Sequence, residues 1–153
     1  MNNVDRTVDL FASGLNCSQA ILTVLGELYG LDSKLSARLG RPLGGGMGRL
    51  SLTCGAVTAA VLVLGLAKSH QDEGEARKVT YSYVQELFRG FEALHGTTEC
   101  RRLLGADMST EEGLKKVQDE KLVSKLCPAF VRDAADILEK LLASYTNAHS
   151  KRI

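Results

Sequence analysis

The sequence predicts an all-α protein: a single-domain, up-and-down helical bundle of about seven or eight helices over residues 1–153. Three observations carry that prediction. Apolar residues recur at helical spacing in almost every segment, and no run alternates in the way a half-buried strand does. Glycine, asparagine, serine and threonine fall at intervals that suit helix starts and stops. The chain is 44% hydrophobic but only 5% aromatic, so the expected core is aliphatic and large enough to fold without disulfide staples.

Taken in order, Val4, Val8, Phe11 and Leu15 mark a first helix that closes near Gly14 and Asn16. Cys17, Ile21, Val24 and Leu28 line a second, with Asn16 as its expected N-cap and Gly30 as its end. A short helix over 33–39 stops at Gly40, with Pro42 beyond. After a glycine-rich loop, Thr53 is the expected N-cap of a helix over 54–67, apolar nearly all round and so placed at the buried centre. The polar stretch SHQDEGE turns the chain into a long helix with Ala76, Tyr83, Leu87, Phe91 and Leu94 inward. Thr98 is the expected cap of a short helix carrying Cys100, Leu103 and Leu104. Ser109 or Thr110 opens another through Leu114, Val117 and Leu122, with Glu111 and Glu112 at the positive end of its dipole. Cys127 and Pro128 start the last, through Phe130, Ala134, Ile137, Leu141 and Tyr145.

Composition narrows the function classes. A formal charge of +1 gives no electrostatic footprint for nucleic acid or an acidic membrane. The longest nearly apolar run, residues 56–67, is too short to cross a bilayer. The start, MNNVDRTVDLF, has no cationic and apolar leader pattern, so the expected location is cytoplasmic. In that reducing compartment four cysteines point to metal binding or redox chemistry rather than to structural disulfides.

The four are Cys17, Cys54, Cys100 and Cys127, and each falls at or within the first turn of an expected helix. There the unpaired N–H groups and the positive dipole end favour thiolate over thiol. If successive helices alternate in direction, the cysteine-bearing starts belong to the second, fourth, sixth and eighth and meet at one end of the bundle. The loop GGGMGR before Cys54 supplies Gly44, Gly45, Gly46 and Gly48, which allow positive φ and close backbone approach to whatever the sulfurs hold. Its spacing fits no phosphate-binding loop, because no lysine follows in the required place. Read alone, the loop serves equally well as a plain surface connection.

At these residues the chain resembles the C_GCAxxG_C_C family, a group classed as redox-active and named for four separated cysteines with a small-residue element around the second. The element here reads CGAVTA, over residues 54–59, preceded by GGGMGR. Ala59 stands in the place of the element's final glycine, adding one methyl group against any helix or cofactor there. The resemblance implies a redox role and a cluster bound by the four cysteines, with Gly45, Gly46 and Gly55 beside it.

Several chemistries suit four gathered thiols. Structural zinc sites favour local C-x-x-C pairs, thioredoxin-like sites require one and covalent haem needs C-x-x-C-H; none of these occurs. Widely spaced single cysteines remain compatible with an iron–sulfur cluster in which each sulfur binds iron. Electron transfer to a redox partner protein is therefore the leading expectation. The alternatives are a thiol–disulfide oxidoreductase cycling one cysteine pair, and a helical interaction module whose cysteines are small buried hydrophobes. A homodimer is allowed but not required. His95 is expected to cap a helix dipole, His70 and His149 to face solvent, and Arg49, Arg101 and Arg102 to flank the site.

Overall fold

The computed structural model describes residues 1–68 and 72–150, with side chains up to Tyr145 in the last helix. Among the described residues it is all-α, with eight helices and one four-residue glycine turn: α1 (Asn3–Ala12), α2 (Cys17–Leu25), α3 (Ser33–Gly40), the turn α4 (Gly44–Met47), α5 (Gly55–Ala67), α6 (Glu73–His95), α7 (Cys100–Leu104), α8 (Glu111–Asp119) and α9 (Leu122–Ser150). His70 lies outside the described residues, as does the side chain of His149.

The expected caps hold at two helices for the expected reason. Asn16 begins α2 with a capping box: its side chain accepts from the Gln19 amide at 2.8 Å, and Gln19 Oε1 accepts from the Asn16 amide at 3.0 Å. Thr110 Oγ1 accepts from the Gly113 amide at 3.0 Å and opens α8. The other two caps differ. Cys54 itself occupies the N-cap position of α5, and Glu99 that of α7. Thr53 and Thr98 are instead drawn into a minimal antiparallel ribbon. Thr53 bridges Glu99, the Cys54 amide donates to Thr98 O at 2.8 Å, and the Cys100 amide donates to Leu52 O at 2.6 Å.

Helix α5 is the central packing element. It rests against α2, α6 and α9, and Ala56, Val57, Ala59, Ala60, Val63 and Leu64 are fully buried. One side reaches solvent, where Leu62 and Leu66 are each 42% exposed. Around it Ile21, Leu22, Leu87, Phe91, Val131 and Leu138 complete one hydrophobic cluster. Each such aliphatic or aromatic side chain contributes about 1.5–3 kcal/mol relative to leaving it in water. Helix α9 closes the bundle by packing on α1, α5 and α6; the pairs Arg132–Asp5 at 2.9 Å and Asn3–Glu139 at 2.8 Å tie it to α1.

Three local expectations are corrected. Leu28 is 52% exposed because the chain leaves α2 at Gly26 and enters a 3₁₀ turn over Glu27–Tyr29, which rotates it outward. Leu94 is 61% exposed because His95, four residues beyond Phe91, takes the inward place in the last turn of α6. Gly40 is not a left-handed stop: it is buried, helical, and pressed onto the start of α2, where an added Cβ would sit 2.7 Å from the Gln19 amide nitrogen.

Candidate functional site

The four cysteines come from separate elements and line one cavity of about 590 Å³. Cys17 is the first residue of α2, Cys54 the N-cap of α5 and Cys100 the first residue of α7. Cys127 departs from expectation: α9 begins at Leu122, so this cysteine lies in the helix's second turn and Pro128 lies inside the helix. Leu122 and Leu126 explain the early start, since both pack against the core and extend the apolar face backwards. Proline removes one N–H donor, that to the Ser124 carbonyl, which the second turn of a long packed helix tolerates.

Two mechanisms gather sulfurs that are distant in sequence. The ribbon at Thr53 and Glu99 holds the starts of α5 and α7 side by side. Glycines then allow close approach. A Cβ on Gly55 would fall 2.6 Å from Cys17 Sγ and closer still to Ser18 Oγ, so the start of α5 meets the start of α2 only because residue 55 has no side chain. The Ser18 hydroxyl donates to Gly55 O at 2.9 Å and fixes that contact. Gly46, with φ of 68°, would place a Cβ 2.8 Å from Cys100 Cβ. Gly45, Gly46 and Gly55 all line the cavity.

The rest of the lining is largely apolar, with Phe11, Leu15, Leu104, Met108 and Phe130 among it, and none of its described residues is charged. Burial consequently dominates the thiol chemistry. It pushes Cys100 up to about 11 and Cys127 up to about 12, and the other cysteines' developing charges add to the effect. Burial raises Cys17 and Cys54 as well, and the amides of Ala56 and Val57 at the start of α5 oppose it at Cys54 without reversing it. Helix-start positions were expected to favour thiolates; removal from water outweighs the dipole, and the thiols keep their protons at neutral pH. All four are free.

Among the described residues, no three His, Cys, Asp or Glu side chains are grouped to hold a single metal ion. The four cysteines have in common the lining of one cavity. Ala59 is fully buried in α5 and does not line the cavity, so its methyl group packs into the core instead of restricting the site.

His95 and Arg101 serve the scaffold. His95 Nε2 pairs with Asp133 Oδ2 at 2.8 Å, and its ring lies tilted against Phe91 and perpendicular to Phe130, joining α6 to α9. Arg101 bonds the carbonyls of Ser51 and Leu50 at 3.3 and 3.4 Å and pairs with Asp107, which fastens the chain leaving the glycine turn to α7. Sequence reasoning missed Ser51: buried at a φ of 57°, it accepts from the Met108 amide at 2.8 Å, behind the cysteines. A buried serine at positive φ has no pattern in the sequence that would have revealed it.

Fold and cavity together define a class: a small all-α protein whose only gathered reactive groups, among the described residues, are four cysteines facing one uncharged chamber. The chain belongs to the C_GCAxxG_C_C family, described as putative redox-active protein, whose sequence model matches residues 15–141. That span includes all four cysteines and the glycine turn. No curated protein and no solved structure matches the chain significantly. No helix among the described residues is long and apolar enough to cross a membrane.

Proposed function

We propose that Cys17, Cys54, Cys100 and Cys127 hold an iron–sulfur cluster and that the protein transfers electrons to and from a redox partner protein. The observation that carries this reading is the chamber's electrostatics: four sulfurs, no lining cation, and thiols kept protonated by burial. Such a set becomes thiolate only when a positively charged group enters with it, and iron displaces the protons outright. An all-sulfur donor set selects soft metals and clusters over hard cations. Cysteines from four separate elements lining one cavity suit a cluster, in which different cysteines bind different irons. When bound, the cluster would supply one-electron chemistry at a potential set by its burial and by the amides of Ala56 and Val57 near Cys54. Gly45, Gly46 and Gly55 would present backbone rather than side chain to it.

The alternative, thiol–disulfide exchange, needs a thiolate at neutral pH to attack a disulfide. Raised thiols with no cation beside them work against that, so the cluster is the stronger reading. The test is iron and acid-labile sulfide measured on anaerobically purified protein and on Cys17→Ala, Cys54→Ala, Cys100→Ala and Cys127→Ala. The reading expects both elements in the wild type and a sharp loss in each variant. Wild-type protein without sulfide, but with two thiols that oxidise reversibly, would support the exchange reaction instead.

A further inference from the structure

A second cavity, of about 660 Å³, opens next to the cysteine chamber, and Asn16, Gly45, Met108, Val123 and Ser124 line both. Its character is opposite. Arg41, Arg49 and Lys121 line it, and no aspartate or glutamate does. All three are exposed, and none makes an ion pair or a side-chain hydrogen bond among the described residues. Three unneutralised cations lining one cavity are what an anionic ligand would require.

The backbone gives a second, independent indication. Among the described residues, the non-glycine positions at positive φ are Met47, Arg49, Ser51 and Lys121. All belong to the two segments that face each other across this cavity: the glycine turn with its exit, and the α8–α9 junction. Two of the cations, Arg49 (φ 63°) and Lys121 (φ 52°), themselves sit in this unfavourable conformation. Residues held this way persist only where the surrounding structure enforces them, and they gather at ligand sites. Gly45 contributes directly, because a Cβ there would lie 2.9 Å from Arg49 Cγ; its absence lets the arginine stem lie across the turn at the boundary between the two cavities.

We infer that this second cavity binds a small organic molecule through an oxyanion head group, phosphate or carboxylate, held by Arg41, Arg49 and Lys121, with the apolar body lying along Leu114, Val117, Met108 and Val123 of the same cavity. The guanidinium groups match either oxyanion through paired N–H donors, and the lysine adds a point charge. The overall charge of +1 conceals this site, because acidic residues elsewhere in the chain balance its three cations in the total. The inference does not depend on the cluster, since the head group's contacts involve no sulfur.

The test is calorimetric titration of the full chain, before and after anaerobic treatment with iron and sulfide, using inorganic phosphate, butyl phosphate and pentanoate as probes. Saturable binding of at least one butyl or pentyl anion is expected in both preparations, tighter than inorganic phosphate and weaker as salt rises. Preference for butyl phosphate identifies a phosphate head group, and preference for pentanoate a carboxylate; either supports the site. Arg49→Gln and Lys121→Gln should each weaken binding roughly tenfold, the loss of one charge-assisted hydrogen bond. Arg89→Gln, on α6 away from the cavity, should change nothing. No saturable binding of any probe, or equal weakening by Arg89→Gln, would overturn the inference while leaving the cluster assignment to its own iron and sulfide analysis.

Discussion

The two ends of α5 treat ionisable groups in opposite ways. At its start Cys54 and the neighbouring sulfurs meet the positive end of the helix dipole; at its end Lys68 meets the negative one. Both ends have the favourable sign, and both withdraw the group from water. Lys68 is only 4% exposed, and its ammonium has no hydrogen-bond partner among the described residues. It lies between two aromatic faces, 3.7 Å from the Tyr83 ring centre and 3.4 Å from that of Tyr145. Those π faces provide the lysine with a negative counterpart inside the protein. The cysteine chamber has no equivalent source of positive charge: two amides and a dipole end do not make up for burial, and the thiols stay neutral. The lysine end finds its counterpart within the fold, whereas the sulfur end has none there, and under the proposed function an exogenous cationic group supplies it.

The largest expected effect separates the two ends chemically. Cys54→Ala should abolish most of the bound iron and sulfide, whereas Lys68→Met should leave both unchanged; metal analysis of the two variants checks this. If Lys68→Met loses as much iron, the ends are not independent and the comparison fails.

A smaller effect concerns packing along the same helix. Gly55→Ala forces a methyl group into Cys17 Sγ and Ser18 Oγ and should destabilise the protein by about 1–3 kcal/mol, as overpacking does. Gly65→Ala, ten residues later with nothing near the added Cβ, should stabilise it by about 0.5–1 kcal/mol. Denaturant unfolding of the two variants provides the comparison, and equal shifts would contradict the tight contact at the sulfur end.

The smallest effect is in pH dependence. Burial lowers Lys68 from 10.5 to about 8. Between these values the unfolded chain holds a proton that the folded chain has released, so stability from this group should rise with pH from about 8 to 10.5. Below about 8 both states are protonated and the burial cost is fully felt. The difference in unfolding free energy between wild type and Lys68→Met should therefore shift in the wild type's favour across that window. A difference that stays flat would show that the aromatic faces restore the lysine's ordinary titration.

How much of this was legible beforehand depended on how local each cause is. Asn16 and Thr110 were readable as caps because a cap and its partner amide lie three residues apart. Gly40 and Pro128 misled for the same reason: glycine and proline normally punctuate helices, but Gly40 serves a contact with α2, and Leu122 and Leu126 extend α9 past its proline. The four cysteines do line one cavity, but Cys127 reaches it from the second turn of α9 and not from a helix start. Part of what joins them, however, is the ribbon linking residues 52–54 to 98–100, too short to show any alternation. The sign of the thiol shift was also hidden, because it depends on how much apolar lining surrounds the sulfurs. The cationic cavity could not be read either, since Arg41 and Arg49 meet Lys121 only after folding.

The most direct measurement of the central claim is the visible and electron paramagnetic resonance spectrum of the full chain after anaerobic incubation with ferrous iron and sulfide. The account predicts broad charge-transfer absorption and, in one redox state, a paramagnetic signal, both absent from the protein lacking all four cysteines. A colourless, correctly folded protein that takes up neither iron nor sulfide would contradict it.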